Sequence, residues 1–212
     1  ALFDTDTDLA TALATASAAA GLDAVPPFTV EEVAEQNWVQ LTQSQFDPIR
    51  ITDRLWIVPS WHESPDPSAI NLILDPGMAF GTGSHPTTRL CLEWLTTEIQ
   101  PGVSVLDYGC GSGILAIAAL LLGAKSATGY DNDPQALTAS RDNADHNGCA
   151  GKLTVSLVAT NGETITQQAE VVLANILAGP LRELAPRIAP LVKNGGSLVL
   201  SGILEAQAEE VM

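Results

Sequence analysis

The chain has 212 residues, is 46% apolar with mean hydropathy +0.18, and carries a formal net charge of −16. That is enough apolar content for a buried core and enough length for one ordinary domain plus part of a second. The charge argues against direct DNA or RNA binding, which needs clustered Lys and Arg, and fits a basic protein partner better. Cys91, Cys110 and Cys149 are scattered, with no C-x-x-C pair, so neither a metal site nor a disulfide framework is expected and a cytoplasmic location is. The longest apolar run, Ile114 to Leu122, falls well short of the roughly 20 residues that span a bilayer, so no membrane association is expected. Ala1 is not an initiator Met, and Met212 falls inside a predicted helix; both read as a piece of a longer protein.

From the start, an alanine-rich helix is predicted over about Leu9 to Ala20, with Thr7 or Asp8 as N-cap and Gly21 just past its end. A strand is predicted over Phe28–Val33, then a polar segment from Ala34 to Gln45. A strand pair follows, Ile49–Ile51 and Leu55–Pro59, joined by the turn Thr52-Asp53-Arg54. Residues 63–68, with two prolines, read as a loop.

From Asp75 onward, strand and helix alternate. Strands are predicted at Val103–Asp107, Ser126–Asp131, Leu153–Val158, Glu170–Asn175 and Ser197–Ser201. Helices are predicted at Pro86–Glu98, Ser112–Leu122, Pro134–Asn147, Pro180–Leu191 and from Leu204. Pro134 and Pro180 suit a first helical turn, and Asn147-Gly148 and Asn194-Gly195-Gly196 suit helix ends. Such alternation implies a Rossmann-like α/β fold, a parallel sheet with helices on both faces, and ligands at the carboxyl ends of its strands.

The glycine turn Asp107-Tyr108-Gly109-Cys110-Gly111-Ser112-Gly113 is the strongest signal of chemistry. Alternate glycines permit positive φ and let a ligand approach the main chain, and the next helix presents unpaired N–H groups. Ile114 stands where a dinucleotide fingerprint needs its last glycine, which argues against NAD. The pattern resembles motif I of the class I S-adenosylmethionine (SAM)-dependent methyltransferases. Asp131 lies about 20 residues past the turn, where a ribose-binding acid belongs, and Asp133 before Pro134 reads as a helix cap. Asn175 ends an apolar strand and so faces the reactive end of a cofactor. Amine and amide methyltransferases place an Asn-Pro-Pro-Tyr-like motif there, with the Asn oxygen and a backbone carbonyl receiving the target nitrogen. Here no proline directly follows Asn175 and no aromatic does, which favours a non-planar amine over a flat base. The loop from Leu74 to Arg89 is rich in glycine and hydroxyls and suits either a lid or a structural linker with a helix cap, and His85 reads as a capping or packing residue rather than a base.

Taken together, Leu74-Asp75-Pro76-Gly77, Ala79-Phe80-Gly81-Thr82-Gly83, His85-Pro86-Thr87-Thr88, Gly109–Ala119, Asn175–Leu181, Ser140–Ala144 and Arg54–Ile57 resemble the signature of the ribosomal protein L11 methyltransferase family. The resemblance covers nearly the whole chain. It implies a SAM-dependent protein N-methyltransferase acting on the α-amine and lysines of one basic large-subunit ribosomal protein, as a monomer. Carried onto this sequence, the cofactor contacts fall at Thr88, Gly109, Asp131 and Asn175. Gly111 of the glycine turn joins them, and Asn175 is the catalytic candidate. The resemblance also implies a domain order. Residues 1–35 are part of a small α+β (ferredoxin-like) substrate-recognition domain, 36–74 a linker with the strand pair, and 75–212 the methyltransferase domain lacking its last strands. A protein glutamine or an RNA base is the alternative acceptor, and a binding module without catalysis is the alternative from another class. No general base is evident.

Overall fold

A computed structural model describes residues 7–30, 46–75, 83–158 and 165–211. It divides into two compact units, Ala1–Trp38 and Val39–Met212.

In the first unit, helix α1 spans Leu9–Ala19. Asp8 caps it, accepting from the Thr11 N–H at 3.3 Å and the Thr11 hydroxyl at 2.6 Å. Gly21 follows with φ +72°. Phe28–Val30 form no strand, and residues 31–33 of the predicted strand lie outside the described residues. A strand needs a partner to be stable, and none occurs among the described residues of this unit. The polar segment up to Gln45 also lies outside the described residues.

The second unit holds two sheets. The smaller consists of β1 (Ile49–Arg50), β2 (Leu55–Val58) and β3 (Ile70–Ile73), in that order. The predicted pair β1–β2 is antiparallel, and β3, which the sequence did not signal, runs parallel to β2. Arg89 fastens this sheet by donating to the carbonyls of Arg50 and Ile51, each at 3.1 Å. Asn147 brackets β3 from the other side: its Oδ1 accepts the Ile73 N–H at 2.8 Å and its Nδ2 donates to the Ile73 carbonyl at 2.7 Å.

The larger sheet is five-stranded and all parallel. Its strands are β4 (Ser104–Tyr108), β5 (Ser126–Asp131), β6 (Leu153–Leu157), β7 (Ala169–Asn175) and β8 (Val192–Ser201). They lie in the order β6-β5-β4-β7-β8. The order reverses between β4 and β7, the place where parallel sheets open a crevice for ligands. Helices α2 (Pro86–Glu98), α3 (Ile114–Leu121), α4 (Pro134–His146) and α5 (Ala178–Ile188) cover it, followed by the short α6 (Ala208–Val211). Central β4 is buried along its whole length, and α3, a continuous apolar run, is buried at every position but its last. Leu55, Leu72, Leu92, Leu95, Val105, Ile117 and Leu173 share one core, which joins the small sheet, α2, α3 and the central strands.

One sequence expectation is corrected here. Asn194-Gly195-Gly196 does not end a helix: α5 stops at Ile188, and β8 already begins at Val192. The turn is a bulge inside β8, where Val192 pairs with Ala169 but Ser197 with Val171. A Cβ at Gly196 would stand 2.5 Å from the Glu170 carbonyl oxygen, so the bulge takes glycine for close approach.

Beside this bulge, Glu170 ties three strands together. It accepts from the Ser104 N–H at 2.7 Å, from the Ser104 hydroxyl, and from Lys193 Nζ at 2.6 Å. Lys193 first, then Ser104, hold its carboxyl well below the usual range. A depressed acid stabilises the fold above its unfolded value and loses that contribution as pH falls toward the folded value. Glu170→Gln is therefore expected to cost on the order of 1 kcal/mol at pH 7, the size of a solvent-screened pair. The deficit should shrink below about pH 4. Denaturant titrations of both proteins at pH 7 and pH 3 measure it.

Candidate active site

The site lies at the carboxyl ends of β4, β5 and β7. Gly109, Gly111 and Gly113 all adopt positive φ, at +79°, +53° and +78°. A Cβ at Gly109 would stand 2.5 Å from Ile176 Cγ2, and one at Gly113 would stand 2.9 Å from Ser140 Oγ. The turn must therefore be bare on both counts, conformation and space. Its first N–H groups are spent on the sheet: those of Gly109 and Cys110 donate to the Tyr130 carbonyl at 2.7 and 3.1 Å.

The side chains of α4 hold the turn from behind. Ser140 Oγ donates to the Gly111 carbonyl and Asn143 Nδ2 to the Ser112 carbonyl, both at 2.9 Å. No role was foreseen for these two residues. Their spacing of three on one helix face was the available signal.

Asp131 ends β5 as predicted. Its Oδ2 accepts the Gly111 N–H at 2.9 Å and its Oδ1 the Asp133 N–H at 3.0 Å. Asp133 caps α4 by accepting the Gln135 N–H at 2.8 Å, the capping role read for it from the sequence. Each Asp131 oxygen retains capacity for another hydrogen bond.

Asn175 ends β7, and its Nδ2 donates to Thr88 Oγ1 at 3.2 Å. The carboxamide is thereby oriented, with Oδ1 left to accept. Thr88 is 1% exposed, in the first turn of α2, behind Asn175 rather than open to solvent. His85 caps that helix: Nδ1 accepts the Thr87 N–H at 3.3 Å and lies 2.6 Å from Thr87 Oγ1, the first of the two roles, capping or packing, that the sequence allowed. The structure thus gathers Gly109, Gly111, Asp131 and Asn175 at one edge of the sheet, with Thr88 beside them in the first turn of α2. Residues 76–82 of the predicted lid, Phe80 among them, lie outside the described residues.

Asp107, directly before the turn, is fully buried, and neither of its carboxylate oxygens has a hydrogen-bond partner among the described residues. Burial pushes it up to about 7 and the charge of Asp131 adds to the shift; the Ala116 N–H, turned toward the carboxylate without closing a hydrogen bond, offsets part of it. An unpartnered acid under a bare turn, with Asp131 beside it, fits a ligand that brings a cation and sugar hydroxyls and needs no bulky anion cradle. SAM has those groups. Among the described residues, no cluster of His, Cys, Asp or Glu could hold a metal ion, and no helix is long and apolar enough to cross a membrane.

A five-stranded parallel sheet in this order, with a bare glycine turn and an acid on the next strand, is the Rossmann-like fold of the class I SAM-dependent methyltransferases. Residues 1–212 match the family described as "Ribosomal protein L11 methyltransferase (PrmA)", and the chain belongs to it. A relative of that name from Dechloromonas aromatica is 60% identical over 211 residues, covering 100% of this chain and 70% of its own length. Another from Pseudomonas aeruginosa is 57% identical, covering 100% and 71%. The crystal structure of a ribosomal protein L11 methylase from Lactobacillus delbrueckii subsp. bulgaricus superposes with a TM-score of 0.71. It is 32% identical and covers 78% of this chain and 85% of that one.

The raised Asp107 value makes a stability prediction. Its contribution is complete below the unfolded value near 3.9 and is lost as pH rises through about 7. The ligand-free protein is expected to lose stability from pH 5 to pH 8, by a few kcal/mol at most. In Asp107→Asn the corresponding slope should be nearly flat. Thermal melts across that range measure it.

Proposed function

We propose that this chain transfers methyl groups from SAM to amines of ribosomal protein L11, at its N-terminus and on lysine side chains, in the cytoplasm and as a monomer. The observation that carries the acceptor assignment is Asn175 at the end of β7, its amide nitrogen tied to Thr88 and its oxygen left as an acceptor. Gly109, Gly111 and Asp131 would hold the cofactor, with Asp131 on the ribose hydroxyls and Asp107 near a cationic end. Thr88 would support the cofactor's reactive end through Asn175. Bound there, SAM supplies a methyl group on a sulfonium, open to in-line displacement.

The chain's own task is positioning. The amine must arrive neutral, although a free lysine has a pKa of about 10.4. Desolvation at the carboxyl edge favours that neutral form. Asn175 Oδ1 and the Ile176 carbonyl can then accept the two N–H bonds, which aims the lone pair along one line. The proton passes to water. The net charge of −16 favours approach of a lysine-rich substrate. Residues 1–35 would take part in holding that substrate, with 36–74 as connection and 75–212 as the methyltransferase domain.

Asn175→Ala is expected to bind SAM within about threefold of the original affinity yet lose about 100-fold or more in turnover, since it removes orientation and leaves the glycine turn intact. Calorimetry with SAM and transfer of labelled methyl to isolated large-subunit proteins measure the two quantities. Turnover unchanged in the variant takes Asn175 out of the mechanism. Label on a protein glutamine or on ribosomal RNA instead would overturn the amine acceptor.

A further inference from the structure

The carboxyl end of β8 sits beside the acceptor end of the site. Ser201, its last residue, pairs with Asn175 across β7 and β8. It is 8% exposed, and its Oγ donates to the Thr87 carbonyl in the first turn of α2 at 3.1 Å. The residue after Thr87 is Thr88, whose hydroxyl receives Asn175 Nδ2. Two hydrogen bonds, joined through the Thr87–Thr88 backbone, therefore link Ser201 to the carboxamide of Asn175.

Gly202 shows that the same strand end also sets the second acceptor. With φ +84°, it packs on the Ile176 backbone so closely that a Cβ would stand 2.8 Å from the Ile176 carbonyl carbon and 3.1 Å from its nitrogen. The two groups that receive the amine are thus placed from one point on β8.

We propose that Ser201 is a positioning residue for methyl transfer: it fixes the height of the first turn of α2, hence Thr88, hence the direction of Asn175 Oδ1. The inference rests on the amine methylation proposed above. The Ser201 side chain bonds a backbone carbonyl, and among the described residues no side-chain hydrogen bond joins it to those assigned to the cofactor. The Thr87 carbonyl also serves the helix ladder, so loss of the hydroxyl leaves it partnered. The fold should survive, and the effect should fall on alignment, where displacements of about 1 Å can cost up to about 100-fold.

The test compares Ser201→Ala and Ser201→Thr with the unaltered enzyme, using SAM and the isolated ribosomal protein. Ser201→Ala is expected to lower kcat about tenfold, with KM for the ribosomal protein and SAM affinity both within about twofold. Products should shift toward fewer methyl groups per amine by mass analysis. Ser201→Thr, which keeps a hydroxyl, should restore most of the turnover. Turnover unchanged in Ser201→Ala overturns the proposal. So does a loss of SAM affinity that matches the loss of kcat, and so does failure of threonine to rescue. Absence of methyl transfer by the unaltered enzyme would overturn the functional reading, and this inference with it.

Discussion

The bare glycine turn between β4 and α3 is the constraint on which the rest of the site depends. Three residues there hold φ between +53° and +79°, a region that costs roughly 1–2 kcal/mol for residues with a Cβ. Space imposes the same rule independently, because Ile176 and Ser140 stand where side chains would go. The turn can thus run close to the β7–α5 connection at the switch point of the sheet. Asp131 reaches back to the Gly111 N–H only because that N–H lies uncovered.

This geometry separates two jobs along one edge. On the β5 side are the acids and backbone groups suited to a sugar and a cation. On the β7 side are neutral acceptors suited to an amine. Asp107 belongs to the first group and pays in stability for its burial without a partner, an arrangement common where a structure awaits a ligand. Glu170, at the opposite end of the sheet, has the contrary environment: a cation and two donors keep it charged. The sheet is braced at its amino end and left unsatisfied at its carboxyl end, where the chemistry belongs.

Much of this was legible in the sequence, for physical reasons that differ by element. Parallel strands buried on both faces are largely apolar, and Val105-Leu106 of β4 and Val171–Ala174 of β7 read that way at once. Asp133-Pro134 and His85-Pro86 announced their helices, because a cap followed by a first-turn proline has few other uses. Asn175 could be singled out as a polar residue ending an apolar strand. Its pairing with Thr88 could not: the two are 87 residues apart, and hydrogen bonds across that distance leave no local pattern. The same holds for Ser201 on Thr87, 114 residues apart. Strand β3 escaped because four residues after a proline-containing loop offer too short a period. Asn194-Gly195-Gly196 misled because a bulge and a helix end ask for the same residues, and only the pairing of β8 with β7 tells them apart.

Membership of the ribosomal protein L11 methyltransferase family narrows the cofactor and the acceptor, while the residues of this chain set how the two would meet. The central claim is that the bare turn and Asp131 seat SAM with its transferable group toward Asn175. A crystal structure of the protein with S-adenosylhomocysteine tests it most directly. The account predicts ribose hydroxyls on Asp131, the homocysteine end over the glycine turn near Asp107, and the sulfur facing Asn175 Oδ1. A ribose bound away from Asp131, or a sulfur turned away from Asn175, would contradict it.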